Sequence, residues 1–185
     1  MGSSICSERK PDSLGLSSQM ESVASPVDLG LTCAVKMNIR QATPADARVI
    51  ADFNIRLALE SEQISLDPAC VSAGVASLLA DPAKGIYYLA EIDGAVAGQL
   101  MITYEWSDWR NGNIWWLQSV YVREDARGQG VFRALFEHLQ RLAVASKGVC
   151  CLRLYMHSEN TRARRSYERM GMKPTHYEVF EMELN

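Results

Sequence analysis

Val120-Tyr121-Val122-Arg123-Glu124-Asp125-Ala126-Arg127-Gly128-Gln129-Gly130-Val131-Phe132-Arg133-Ala134-Leu135 carries an apolar strand through two glycines into a helix. The alternation starts at Leu117 and stops at charged residues beyond Val122, after which Leu135, Leu139 and Leu142 recur at helical spacing. A strand, a glycine-bearing turn and a helix start together make a place for an anion. The first helical turn has unpaired N–H donors and the positive end of the dipole. Arg123, Arg127 and Arg133 bracket the turn. Cations at a helix N-terminus are unfavourable by roughly 0.3–1 kcal/mol each unless something negative sits among them. The pattern therefore points to a phosphate-bearing ligand.

Upstream, the strand over 113–122 reads as the third of an antiparallel meander. Residues 85–92 form the first strand, Asp93-Gly94 the hairpin turn and 95–106 the second strand. Residues 38–42 read as a short strand, followed by Thr43-Pro44-Ala45-Asp46, an N-cap with proline at the first helical position. Ile50, Phe53, Ile55, Leu57 and Leu59 suit an amphipathic helix to about Glu62, and Asp67-Pro68 opens a second helix. Downstream, the helix after Gly128 ends near Gly148. A strand over 149–156, a helix over 161–170 and a closing strand over 177–184 are expected to follow. The sum is an α+β fold, a mixed and mostly antiparallel sheet flanked by helices.

With 185 residues, 48% hydrophobic and 22% charged, the chain has the makings of one ordinary globular domain. A net charge of −3 argues against general nucleic-acid binding, which needs a basic surface. No stretch approaches the roughly 20 apolar residues of a membrane span. Cys6, Cys33, Cys70, Cys150 and Cys151 have neither metal-ligand spacing nor the even count of a disulfide framework. Reduced thiols and a cytoplasmic location are expected, with no metal. Residues 1–36 are Ser-rich and lack apolar periodicity, so a flexible leader is expected there and the domain over 37–185.

A second motif is Asn160-Thr161-Arg162-Ala163-Arg164-Arg165-Ser166-Tyr167-Glu168-Arg169-Met170-Gly171-Met172. Asn160, Ala163, Tyr167 and Met170 share one helix face, and Gly171 ends the helix as a left-handed cap. Arg127-Gly128-Gln129-Gly130-Val131 resembles the acyl-CoA signature of the GNAT superfamily of N-acetyltransferases. Asn160, Ala163, Tyr167 and Gly171-Met172 resemble its C-terminal motif, and Ile39-Arg40-Gln41-Ala42-Thr43 with Asp46 its opening. The resemblance spans residues 38–184.

It implies acetyl-CoA as co-substrate. Backbone groups of Ser119, Val120, Tyr121 and Val122 would pair with the pantetheine arm as an added strand does. The N–H groups of Gly128, Gln129, Gly130, Val131, Phe132 and Arg133, with Arg127, would hold the diphosphate. Asn160 and Ala163 would contact the cofactor, although Asn160 also reads as a helix cap. Tyr167 would protonate the departing thiolate, since a phenol of pKa near 10 stays protonated at neutral pH. Backbone N–H groups around 117–120 would polarise the thioester carbonyl. The family usually has Gly or Ala where this chain has Phe132, whose ring must then turn away into the core.

A general base must take the proton of the ammonium acceptor. Glu105, on the central hairpin, is the catalytic candidate, with Glu60 and Glu62 as its rivals; His157 reads as structural and His138 as an exposed helix residue. Trp106, Trp109, Trp115 and Trp116 suit an acceptor pocket, core anchors or a dimer surface equally. No cysteine sits beside a base, which argues for direct attack by the amine. Leu59-Glu60-Ser61-Glu62 faintly resembles diamine acetyltransferases, yet Leu117-Gln118-Ser119 lacks the acids that a dication would need. A small amine or amino-acid-like acceptor is expected, with a protein N-terminus or lysine as the next choice. By analogy with such folds a homodimer is expected as well. A CoA-binding sensor without turnover is the alternative class. No Gly-Lys-Ser/Thr follows the glycines, which sets aside a P-loop.

Overall fold

The computed structural model describes residues 36–184, so the leader expected over 1–36 lies, Lys36 apart, outside the described residues. Five strands form one sheet in the order β1-β2-β3-β4-β5: β1 (Met37–Gln41), β2 (Ile86–Ile92), β3 (Ala95–Ser107), β4 (Gly112–Val122) and β5 (Val149–Arg153). The first three pairings are antiparallel and β4–β5 is parallel. This mixed sheet is the expected architecture. The hairpin turn falls at Asp93-Gly94, with both residues at positive φ.

Helices cover both faces. α1 (Ala47–Glu62) and α2 (Pro68–Leu79) enclose one core, in which Ile50 and Val75 meet Tyr87, Leu89 and Met101 of the sheet. α3 (Val131–Ala145) crosses the other face between the parallel strands. Its Val131, Leu135 and Leu139 share one stripe and pack on Leu100, Ile102 and Leu117. Burying each such leucine contributes about 1.5–3 kcal/mol. α4 (Thr161–Arg169) follows β5.

Local chemistry sets the ends of these elements. The Asp67 side chain accepts from the Ala69 N–H to start α2. Arg40 clamps Asp46 with two hydrogen bonds of 2.8 Å and also reaches Glu91 at 2.7 Å. Asp46 further accepts from the Thr43 N–H at 2.7 Å, closing a capping box at the Pro44–Asp46 3₁₀ turn. The Arg40 guanidinium, beside Asp46, holds that carboxyl well below the usual carboxylate range despite burial. The chain's opening motif thus ties β1 to the first helix.

Two expectations change. The strand expected over 149–156 ends at Arg153. No closing strand forms over 177–184, where Tyr177, Val179, Phe180, Met182 and Leu184 are exposed. Apolar alternation marks a half-buried face but supplies no partner for the backbone, and among the described residues the sheet ends at β5. The adjacent Val179-Phe180 pair also breaks the alternation.

Candidate active site

β4 and β5 part company. Their parallel pairing runs from Asn113–Val149 to Trp116–Arg153 and stops. Beyond Trp116, β4 keeps β3 on one side only, so the other edge over 117–122 is left without a strand. The gap is a cleft of about 1020 Å³. Leu117 to Val122 and Tyr155 to His157 line its two sides, the turn and first residues of α3 close one end, and α4 contributes Asn160, Ala163 and Tyr167.

At the closed end the backbone is arranged for an anion. Gly128 and Gly130 sit at φ +83° and +82°, a left-handed conformation that costs residues with a β-carbon roughly 1–2 kcal/mol each. A β-carbon at either would meet nothing within 4 Å, so the space above the turn is open. Gly130 is the N-cap of α3, and no side chain caps that helix. Its first N–H donors therefore face the cleft unpaired. Gly98 lets this turn sit low on the sheet, since a β-carbon there would come within 2.8 Å of Val131 Cγ1 and 2.9 Å of the Tyr121 carbonyl.

The arginines are less free than the sequence suggests. Arg123 pairs with Asp125 at 2.6 Å and donates to the Val96 carbonyl. Arg127 donates to the Val122 carbonyl at 3.0 Å and forms an ion pair with Glu60 of α1. Glu60 also accepts from the Tyr121 hydroxyl at 2.8 Å. Desolvation raises the Glu60 carboxyl, but Tyr121 and Arg127 outweigh it and hold the carboxyl below its ordinary value. The conflict between cations and helix dipole is thus met in part by internal acids. The uncommitted donors at this end of the cleft are chiefly backbone N–H groups.

All the residues read from the sequence as cofactor contacts, from Ser119 to Val122, from Arg127 to Arg133, and Asn160, Ala163 and Tyr167, come together on this one cleft. Asn160 Oδ1 accepts from the Ala163 N–H at 3.0 Å and so caps α4. Gly171 and Met172 donate back to the Glu168 and Tyr167 carbonyls, a Schellman ending that fixes the Tyr167 backbone. Burial pushes the Tyr167 phenol up. Phe132 is half-buried and serves both sides: it packs against the core, 6.0 Å from Phe136, and also lines the cleft, edge-on to Tyr167 at 5.5 Å.

Glu105 is not brought to the cleft. It is held by Arg153 at 3.3 Å and accepts from the Trp116 indole. Glu60 and Glu62 line the cleft instead, and so does His157, whereas His138 packs against Tyr88. None of the four tryptophans lines it: Trp106 and Trp109 are exposed, Trp115 packs on the core, and Trp116 stacks near Tyr155. Among the described residues there is no group of three or more His, Cys, Asp or Glu side chains able to hold a metal ion, and no helix is long and apolar enough to cross a membrane. Sequence reading passed over Gln99, which is fully buried and bonded to Asn54 and to the Ser119 carbonyl. Its signal was a lone amide inside the apolar run 97–102.

The acetyltransferase (GNAT) family matches residues 54–172. An uncharacterised N-acetyltransferase of Methanocaldococcus jannaschii is 34% identical over 97 residues. That alignment covers 50% of this chain and only 58% of the relative's length. A possible acetyltransferase from Clostridium difficile 630 superposes with a TM-score of 0.76 at 40% identity, covering 80% of this chain and 98% of that one. A predicted acetyltransferase from Clostridium acetobutylicum, solved with acetyl-CoA, has the same fold at a TM-score of 0.64 and 18% identity, over 81% of this chain and 96% of that one.

Proposed function

The chain belongs to the acetyltransferase (GNAT) family, and from that premise we propose that it transfers an acetyl group from acetyl-CoA to a primary amine by direct attack. One observation carries the reading: the unpaired edge of β4, the uncapped start of α3 and Tyr167 all line a single cleft. The free edge over 117–122 pairs with the amide-bearing arm of the donor. The N–H groups of α3's first turn, with Arg127 and Arg133, hold the diphosphate. Those interactions place the thioester along the middle of β4, where backbone N–H groups stabilise charge developing on the carbonyl oxygen.

The acceptor enters beside the end of α1, where Glu60 and Glu62 attract a cationic amine. A carboxylate takes the ammonium proton, directly or through water, and the nitrogen lone pair attacks the carbonyl carbon. The C–S bond then breaks, the sulfur takes the Tyr167 proton, and the second proton that the nitrogen sheds on becoming an amide passes through water to restore the phenol. Burial keeps that phenol protonated at neutral pH, which suits the role. Glu105, engaged away from the cleft, is left out of this scheme. The acceptor class that fits is a small amine or amino-acid-like molecule.

The test is to incubate the full chain with acetyl-CoA and a panel of small amines, amino acids and peptides, following free thiol. Acceptor-dependent thiol release is expected, strongest with a small amine. CoA binding without release from any acceptor would overturn the catalytic reading and leave a sensor module.

A further inference from the structure

We propose that Gln99 is a positioning residue that aims the Val120 N–H into the cleft. The inference rests on the reading that β4 carries the thioester. Two residues of β4, Ser119 and Val120, stand opposite the single Leu100 of β3, because the register shifts between Gln99–Tyr121 and Met101–Gln118. This bulge puts Ser119 at φ +49°, a conformation disfavoured for a residue with a β-carbon. The bulge interrupts the regular register of the ladder. A side chain tethers it: Gln99 Nε2 donates to the Ser119 carbonyl at 3.2 Å.

The second Nε2 proton goes to Asn54 Oδ1 at 2.7 Å, and Asn54 Nδ2 donates to the Tyr87 hydroxyl at 2.9 Å. Both amide donors of Gln99 are therefore used, and its orientation is set from α1 and β2. Its Oε1 is buried without a partner. An orphaned oxygen costs stability that an apolar side chain of the same size would not. The amide is thus in place for its donors, and one of those donors acts only on the bulge.

The consequence follows from peptide geometry. No peptide bond among the described residues is cis, and in a trans peptide the carbonyl and the next N–H point in opposite directions. The Ser119 carbonyl points to Gln99 on the β3 side. The Val120 N–H therefore points away from the Gln99 amide, and both Ser119 and Val120 line the cleft. Gln99 sets the direction of a donor suited to the thioester oxygen without touching the ligand itself.

The experiment compares wild type, Gln99→Met and the double variant Gln99→Met/Ser119→Gly. The readouts are steady-state thiol release with the best amine, CoA affinity by calorimetry, and Tm. Gln99→Met should lower kcat about tenfold or more, since a misdirected carbonyl-stabilising donor acts on the transition state. CoA, which has no thioester carbonyl, should bind within about twofold of wild type. Glycine adopts the left-handed conformation without a tether, so Ser119→Gly in the Gln99→Met background should restore the larger part of kcat. If the Gln99→Met chain does not fold, Asn54→Ala removes Gln99's other anchor and should give the same split at about threefold. A kcat unchanged by these variants would overturn the proposal. So would kcat and CoA affinity falling together with no recovery from glycine. Failure of the wild type to bind CoA would instead sink the reading of the site, and the two failures are told apart by that first titration.

Discussion

The two halves of β4 lie on the same strand and do opposite work. From Asn113 to Trp116 it has β3 on one side and β5 on the other. From Leu117 to Val122 it has β3 alone, carries a bulge and borders the cleft. In the first half the backbone groups are answered by neighbouring strands. In the second, one edge is left for something extended to pair with. Apolar side chains build both halves, with Ile114 buried in one and Leu117 and Tyr121 in the other. What separates fold from site is therefore where hydrogen-bonding capacity is left over, not hydrophobicity.

Variants at the open end should change chemistry or ligand binding and spare the fold, whereas variants in the closed parts should do the reverse. The largest expected effect is Tyr167→Phe, which should lower kcat on the order of a hundredfold or more while acetyl-CoA affinity moves less than about threefold. Thiol release and calorimetry read the two separately, and equal losses in both would remove the acid role. Next comes Asp46→Asn, in the satisfied cluster that ties β1 to the first helix. It should cost about 2 kcal/mol, given partial exposure of the pair, and leave turnover per folded molecule unchanged.

The same aspartate makes a pH prediction. Its folded pKa is depressed, so its stabilisation is present above the ordinary value near 3.8 and is lost as pH falls below it. Urea titrations between pH 6 and 3 should show the native chain losing its advantage over Asp46→Asn toward the acid end. Parallel curves would contradict the assignment.

Smaller still is Gly130→Ala. A β-carbon at φ +82° costs roughly 1–2 kcal/mol, so CoA should bind about tenfold more weakly if the turn yields to relieve the strain. The smallest effect separates two uses of one arginine. Glu60 holds Arg127, and a half-exposed pair of this kind contributes roughly 0.2–1 kcal/mol. Glu60→Gln should tighten CoA binding about threefold and raise KM for a cationic amine; weaker CoA binding would show that Arg127 needs Glu60 as a support.

Much of this division was legible in the sequence, and the exceptions have physical causes. The strand-to-helix turn is visible because Gly128 and Gly130 are punctuation that only a left-handed backbone requires. Asn160, Ala163 and Tyr167 are visible because helical spacing puts them on one face. Periodicity reports faces but says nothing of partners. The alternation over 177–184 therefore suggested a strand with no ladder to join, and Glu105 looked available although Arg153 and Trp116 hold it across the sheet. Glu60 and Arg127 are 67 positions apart, so only the fold makes them a pair. Gln99 was discoverable as one amide in an apolar strand, but its use depends on a bulge that no local pattern announces.

The comparison within β4 is most directly tried by amide hydrogen exchange of the full chain with and without CoA. Slowed exchange should be confined to residues 117–122 and 128–133, with residues 112–116 unaltered. No added protection at saturating CoA, or protection that leaves 117–122 and 128–133 untouched, would contradict the account.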